Sequence, residues 1–545
     1  MTTQNTDFPI PADLPEGFWN WDRIHCPHPT HQLEQELMLD TTAAGFTRSM
    51  DEMGSPFGVV SRLINNYSYL TFVPLDFKGE DPEKRAARYR QNVAELMPKV
   101  RERWEKEWLP NMLPALERAT TAEFASMSDA ELLTTFDQMK EEVIDRWAVH
   151  GLINYSFYAA GQFADFYKAN INPENENEGY EALQGFPSIA LESSRGLWRL
   201  SRLVRESDEL KGLFETKKPE EIMSALQATP SAADFLKEYE AYIEKFGWRG
   251  DSAYELYKPA WKEDPSLAFA AIQGYVAIDD SGGPDNQYNK SVTHREELLK
   301  AAREKLAGDP EKLATFNQLY SQAEAFTPIS EDHNHYIDQM GDISMRYPAL
   351  ELGKRMTAKG LLGKPEDVFY LYTADIKAAL NDGVDQTQLA NDRRAERERW
   401  AKIVPPTAIG VPPPPSDDPV ADLLMRFFGV PVEPSTDASV IKGIAASPGT
   451  VSGTAKVLMD LSEAGKLEPG DIMVCEMTLP PWTPLFSTAA AVVADSGGIL
   501  SHCAIVAREY RIPCVVGTAV GTQVLKDGMK LTVDGTRGIV RIDSR

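Results

Sequence analysis

One histidine in the last fifth of the chain stands where covalent chemistry is possible. The stretch Asp495 to Gly517 reads Asp-Ser-Gly-Gly-Ile-Leu-Ser-His-Cys-Ala-Ile-Val-Ala-Arg-Glu-Tyr-Arg-Ile-Pro-Cys-Val-Val-Gly, and His502 is its only histidine. The apolar run Ala489 to Ala494 leads into Ser496-Gly497-Gly498, the pattern of a buried strand ending in a tight turn. Ser501 then caps a short helix with Ala504, Ile505 and Ala507 on one side, and Ile512 to Val516 reads as the next strand. His502 falls on the first turn of that helix, where unpaired N–H groups meet the positive end of the dipole. A neutral imidazole there keeps a nitrogen lone pair. A phosphoryl group taken by that nitrogen has its negative charge held by the same N–H groups. A structural histidine hydrogen-bonded at a helix start fits the same residues, so position alone leaves both readings open.

The wider pattern separates them. Gly497-Gly498, His502, Ala507-Arg508-Glu509 and Ile512-Pro513-Cys514-Val515-Val516-Gly517 occur in that order. They are flanked by Ala446-Ser447-Pro448-Gly449, Thr478-Leu479-Pro480-Pro481-Trp482-Thr483-Pro484 and Val533-Asp534-Gly535. Over about 440–545 this resembles the phosphohistidine swivelling domain of the phosphoenolpyruvate-utilising enzymes. The resemblance implies that His502 is phosphorylated and that its domain swings between two sites. Cys503 stands where that family usually has Ala or Gly, a small change that leaves the nucleophile intact. Transfer from such a histidine needs cations or N–H donors around the phosphoryl group. Arg508 is a candidate orienting cation, or else a helix-end partner of Glu509. The hydroxyls of Thr478 and Thr483 are candidates to cradle phosphate, or else they set the loop between the prolines. Gly498 and Ser501 shape the approach to the histidine.

The elements that must position these residues follow from the rest of the chain. At 545 residues it is too long for one core. The reading is a multidomain α + α/β protein: a large, mostly helical N-terminal domain over 1–402, a Pro-rich linker or hinge over 403–439, and a C-terminal β/β/α swivelling domain over 440–545. Strands are expected near 451–458, 471–475, 491–494, 513–516, 531–533 and 537–542, with a helix at 501–510. Pro412 to Pro415 stiffen the linker. The formal net charge of −26 argues against nucleic acid and anionic membranes as partners. Four scattered cysteines, no apolar run of membrane-spanning length and no leader-like start point to a reducing cytoplasm.

Within 1–402, His25, Cys26, His28 and His31 invite a zinc reading, but Pro27 and Pro29 stiffen the segment and no second thiol cluster follows. No metal site is expected. Trp19 and Trp21 suit a substrate pocket or a domain anchor. Residues 50–78 suggest a short hairpin or a pocket wall. Trp104 and Trp108 lie one helical turn apart, as a packing seam does. The aromatic run Tyr155, Phe157, Tyr158, Phe163, Phe166 and Tyr167 suits either ordinary core or the lining of a site for a flat organic substrate. Arg249 and Glu255, between glycine turns and charged residues, are candidate anchors on a cleft. Residues 277–290 read as a Gly/Asp-rich loop. His333 and His335 fall on different faces of a helix, which weakens a joint metal site. Glu331, His335 and Arg346 are candidates to face substrate. Over about 15–402 the chain also resembles, patchily, the middle domain of rifampicin phosphotransferase and like enzymes.

No Gly-rich phosphate loop with Lys and Ser occurs, and the first 400 residues do not resemble an ATP-grasp nucleotide domain. The expectation is therefore a subunit of a dikinase-type phosphotransferase within a multi-subunit complex. A separate ATP-grasp subunit, holding ATP and Mg2+, phosphorylates His502 through a covalent phosphohistidine. The group then passes to the hydroxyl of a small, phenolic substrate bound within residues 15–402, giving aryl phosphate, AMP and phosphate, as in phenylphosphate synthase and related enzymes of aromatic compound catabolism, with water or pyruvate as other acceptors. Two alternatives stand beside this: a component of a rifamycin-type antibiotic phosphotransferase, and a non-catalytic protein that binds and regulates a partner.

Overall fold

The computed structural model describes residues 8–544 apart from 24, 176, 251–254, 413–425, 427, 428, 430, 431, 433 and 434. The chain divides into two compact units, each discontinuous in sequence. Unit 1 is Met1–Asn154, Ser252–Lys258 and His333–Pro415; unit 2 is Tyr155–Asp251, Pro259–Asp332 and Ser416–Arg545. Most of the expected hinge, including Pro413 to Pro415 and the hydrophobic interlude from Leu423 to Phe428 except Arg426, lies outside the described residues.

Unit 1 is helical around a small antiparallel sheet. Strands β1 (Trp19–Trp21), β2 (Phe57–Ile64), β3 (Tyr67–Pro74) and β4 (Ala408–Ile409) lie in the order β2-β3-β1-β4. The β2–β3 hairpin pairs Ile64 with Tyr67 across Asn65 and Asn66, whose φ values are 48° and 62°. A two-residue turn with both φ positive matches strand twist, and asparagine tolerates that region better than most residues. Helix Pro82–Leu96 starts on proline, with Asp81 accepting from the N–H groups of Glu83 and Lys84. Trp104 and Trp108 are both buried, on a π-helical turn rather than an α-helix. Two further π-helical stretches, Gln35–Asp40 and Asn334–Gly341, fall in this unit.

Unit 2 joins helices to the second sheet. Its helices include Ile189–Glu206, Ala233–Phe246, Ser266–Val276, Pro284–Leu306 and Pro310–Phe326. Strands β5 (Val440–Lys442), β6 (Ile444–Ser447), β7 (Thr450–Leu458), β8 (Ile472–Cys475), β9 (Ala491–Ala494), β10 (Cys514–Val516), β11 (Lys530–Asp534) and β12 (Ile539–Ser544) form an eight-stranded sheet. Its order is β5-β12-β11-β7-β8-β9-β10-β6, with β7, β8, β9 and β10 running parallel. These central strands are covered on both faces. Ile472 and Val474 of β8, Ala491 and Val493 of β9, and Val515 of β10 enter one core. Met473 and Cys475, Val492 and Ala494, and Cys514 and Val516 enter another. That second core also holds Leu197, Phe269, Ile272, Phe486 and Val506, so the helices and the sheet of unit 2 share it. Double-sided burial gives continuous apolar runs in place of alternation.

The expected fold class is what the structure shows: a mostly helical N-terminal region and a C-terminal sheet region. Some local expectations change. The aromatic run of 155–167 is core: Phe163 packs on Phe316 and Tyr320, Phe157 packs on Phe326, and Tyr167 is buried among them. Residues 277–290 are not one loop, because a helix begins at Pro284, with proline at its first position. Among the described residues no helix is long and apolar enough to cross a membrane.

Candidate active site around His502

Strand β9 delivers the chain to Asp495, which is held in place. Its carboxylate accepts from Thr518 Oγ1 at 2.9 Å, Thr522 N at 3.2 Å and Thr522 Oγ1 at 2.5 Å. The chain then turns through Gly497, whose φ of +99° suits glycine. Gly498 is required for a different reason. A Cβ there would meet the Arg426 carbonyl oxygen at 2.2 Å, and that same oxygen accepts from Leu500 N at 3.0 Å. Ser501 is the N-cap of helix His502–Tyr510, its Oγ accepting from Ala504 N at 3.4 Å. The turn, the cap and the helix thus put His502 on the first helical position, as its sequence indicates.

The imidazole lies between two threonines. Thr478 Oγ1 is 3.1 Å from Nδ1, and Thr483 Oγ1 is 3.4 Å from Nε2. Both threonines are buried, and Phe486 meets the ring edge to face. The prolines between and after the threonines restrict this loop, which continues as a 3-10 helix over Pro480–Ser487. The ring also hydrogen-bonds the backbone of Thr478. With Nδ1–H directed at Thr478, Nε2 keeps its lone pair. Burial, and then the positive charge of Arg249, push the His502 pKa down to about 3. The ring is therefore neutral, the form a nucleophile needs.

Arg249 is the cation whose charge reaches His502. It is buried, its Nη1 donates to Ser193 Oγ at 2.7 Å, and Ser193 Oγ in turn lies 2.9 Å from Tyr242 OH. Its Nε is buried with no hydrogen-bond partner among the described residues. Glu331 adds a compensating charge to Arg249. Glu331 and Thr483 also line a cavity of about 40 Å³ with Ser194, Tyr288, Glu509 and Tyr510. That is room for water but not for an aromatic ring. Burial raises the Glu509 carboxyl to about 7, against the opposing effect of Arg508.

Arg508 is tied to the backbone. Its Nη1 donates to the Ala446 carbonyl and its Nη2 to the Ile499 carbonyl, both at 2.9 Å, and its guanidinium lies over Tyr180. It ties the glycine turn to β6 and positions the helix start. The remaining candidates belong to unit 1. Trp19 and Trp21 spend their indole N–H groups on the carbonyls of Pro15 and Cys26, both at 3.0 Å, and Trp19 is buried in a core with Tyr69 and Trp400. Glu255 pairs with Lys258 at 2.7 Å. Arg346 donates to the carbonyls of Leu256 at 2.7 Å and Tyr257 at 2.9 Å. His335 is buried edge to face against Tyr336. His25 and His31 take different carboxylates, Asp22 and Glu34.

Comparison with known proteins fits this geometry. Residues 467–538 match the mobile domain of PEP-utilising enzymes, and residues 148–331 match the rifampicin phosphotransferase fourth domain. Chondramide synthase cmdD of Chondromyces crocatus is 33% identical over 98% of this chain and 14% of its own length. The uncharacterized phosphotransferase YvkC of Bacillus subtilis is 35% identical over 69% of this chain and 45% of its own length. Rifampicin phosphotransferase of Streptomyces sviceus is 26% identical over 65% of this chain and 40% of its own length. The chain thus spans less than half the length of each of these relatives. It carries a mobile domain of the PEP-utilising enzymes together with a fourth domain of the rifampicin phosphotransferase kind.

Proposed function

We propose that this chain is the carrier and acceptor part of an ATP-dependent phosphotransferase, with His502 as the phosphorylated residue. The observation that carries the proposal is a neutral imidazole held between Thr478 and Thr483, with a buried cation, Arg249, in electrostatic reach. Nε2 attacks the β-phosphorus of ATP. The Nε2–P bond forms, the bond to AMP breaks, and the terminal phosphate leaves as inorganic phosphate after attack by water. The Thr483 hydroxyl and the Arg249 guanidinium fit the charge of the group gained. In the second half, an acceptor hydroxyl attacks that phosphorus, loses its proton to a base, and returns His502 to the neutral ring.

The donor, in this proposal, is an ATP-grasp module outside these 545 residues, expected as a separate subunit and holding Mg2+ with the nucleotide. The acceptor is a small hydroxyl-bearing molecule, first of all a phenol. Support for a phenol comes from the resemblance alone, because the aromatic run and Trp19 are core residues. The experiment incubates the chain, a candidate ATP-grasp partner, Mg2+ and ATP with phenol. Phenyl phosphate, AMP and inorganic phosphate in equal amounts are expected. Phosphohistidine formation without transfer to phenol removes the phenolic acceptor and leaves the carrier role.

A second reading is favoured by the match of 148–331 to the rifampicin phosphotransferase fourth domain. In it the acceptor is a hydroxyl of a rifamycin-like antibiotic. Replacing phenol with rifampicin in the same assay separates the two. A chain that accepts no label with any donor would instead be a non-catalytic partner-binding protein.

A further inference from the structure

Unit 1 contains a cluster that the phosphoryl-transfer reading does not use. His150 lies on the long helix Asp129–Asn170, His333 ends the helix Ile329–His333, and Asp338 sits on the π-helical stretch Asn334–Gly341. One nitrogen from each imidazole and one oxygen of Asp338 lie within 4.8 Å of one another. His150 Nε2 is 3.6 Å from Asp338 Oδ1, close to the ~3.3 Å ligand–ligand edge of a tetrahedral ion with bonds of ~2.05 Å. The two imidazoles meet edge to face with centroids 4.5 Å apart. The π-helical stretch makes this convergence possible. Residues five apart sit about 140° from each other on an α-helix, whereas the i→i+5 pattern of a π turn brings them together.

One atom at this point is unsatisfied. Asp338 Oδ1 is buried with no hydrogen-bond partner among the described residues, while Asp338 Oδ2 accepts from Asn334 at 2.8 Å. A buried carboxylate oxygen without a partner is expensive, and a bound cation is one thing that removes the cost. His25 is held by Asp22 through Nδ1 at 2.8 Å and lies within electrostatic reach of Asp338 and His150. The charge of the buried Arg146 acts on the carboxyl of Asp342.

We propose that His150, His333 and Asp338 form a binding site for one divalent transition-metal ion, Zn2+ or an ion of similar ligand preference. Two imidazoles and one carboxylate oxygen suit such ions better than Mg2+ or Ca2+, which take oxygen ligands. Three protein ligands leave a coordination position for water or another oxygen ligand. The inference is independent of the phosphohistidine reading, and its test needs no phosphoryl transfer.

The full chain is treated with a chelator, desalted and titrated with CoCl2. One Co2+ per chain is expected, with the visible d–d absorption of a low-coordinate nitrogen and oxygen site, displaced by one equivalent of ZnCl2. Asp338→Asn and His333→Ala should each weaken Co2+ binding at least tenfold. His28→Ala, at an exposed histidine, should leave it unchanged. Circular dichroism follows the fold of each variant. Because a buried substitution can cost the fold, the Zn2+-dependent rise in melting temperature of the unmodified chain is a second readout that needs no variant. Absence of stoichiometric Co2+ binding and of that rise would overturn the proposal. So would unchanged affinity in a folded Asp338→Asn chain, or loss of binding in His28→Ala.

Discussion

His502 is neutral for two reasons of different reach. Burial disfavours its charged form wherever the charge comes from, and Arg249 adds repulsion only while the guanidinium is present. Long-range 1H–15N spectra of histidine-labelled protein should therefore show the His502 ring neutral at pH 5, with Nδ1 protonated and Nε2 bare. A titration near the ordinary value of about 6.5 would contradict the site as described. The sign also bears on stability. A pKa depressed on folding gives a contribution that is full above the unfolded value and is lost as pH falls toward the folded one, about 3. Acid denaturation of His502→Asn should accordingly be less steep between about pH 6.5 and 3. Replacing Arg249 with Met removes the cation, so the His502 pKa should rise while phosphorylation slows by roughly 10- to 100-fold, the range of a lost charge-assisted contact. Arg249→Lys should recover part of that rate. The sequence singles out both His502 and Arg249, but it offers Arg508 as the orienting cation. Only folding brings Arg249, on a distant segment, into reach and commits Arg508 to the carbonyls of Ala446 and Ile499.

The helix that starts at His502 depends on its cap and on the turn before it. Ser501→Ala removes the Oγ that accepts from Ala504 N and should cost about 1 kcal/mol in denaturant melts. Gly498→Ala is a harsher change. Its Cβ would lie 2.2 Å from the Arg426 carbonyl oxygen, so either the turn or the backbone at Arg426 must move. A loss of about 1–3 kcal/mol is expected from the same melts, together with weakened phosphorylation of His502. These elements were legible because their signals are local. The double-sided burial of β8, β9 and β10 leaves apolar runs of three or four residues, and Ser501 stands just before the first helical residue. Strands β5 and β6 carry no such local signal, being short outermost strands whose partners, β12 and β10, lie far along the chain. The cluster of His150, His333 and Asp338 carries no α-helical spacing signal, because a π-helical stretch changes which residues share a face.

At the scale of the molecule, helices of unit 2 and its sheet share one core, and the sheet's helix start carries the histidine. The aromatic residues that suggested a flat substrate are packed against each other, and the cavity lined by Thr483 is of water size. Acceptor chemistry depends on contacts that no spacing rule encodes. The net charge of −26 makes association with an acidic partner unfavourable, so a donor module should present a basic surface and its coupling should weaken as salt rises. The most direct test of the central claim is to locate the phosphoryl group. The chain is incubated with ATP carrying 32P at the β-position, with and without a candidate ATP-grasp partner, and is digested and sequenced by mass spectrometry under alkaline conditions. The account predicts acid-labile label on His502, dependent on the partner and absent from His502→Ala. Label on another residue, or label that survives in His502→Ala, would contradict it.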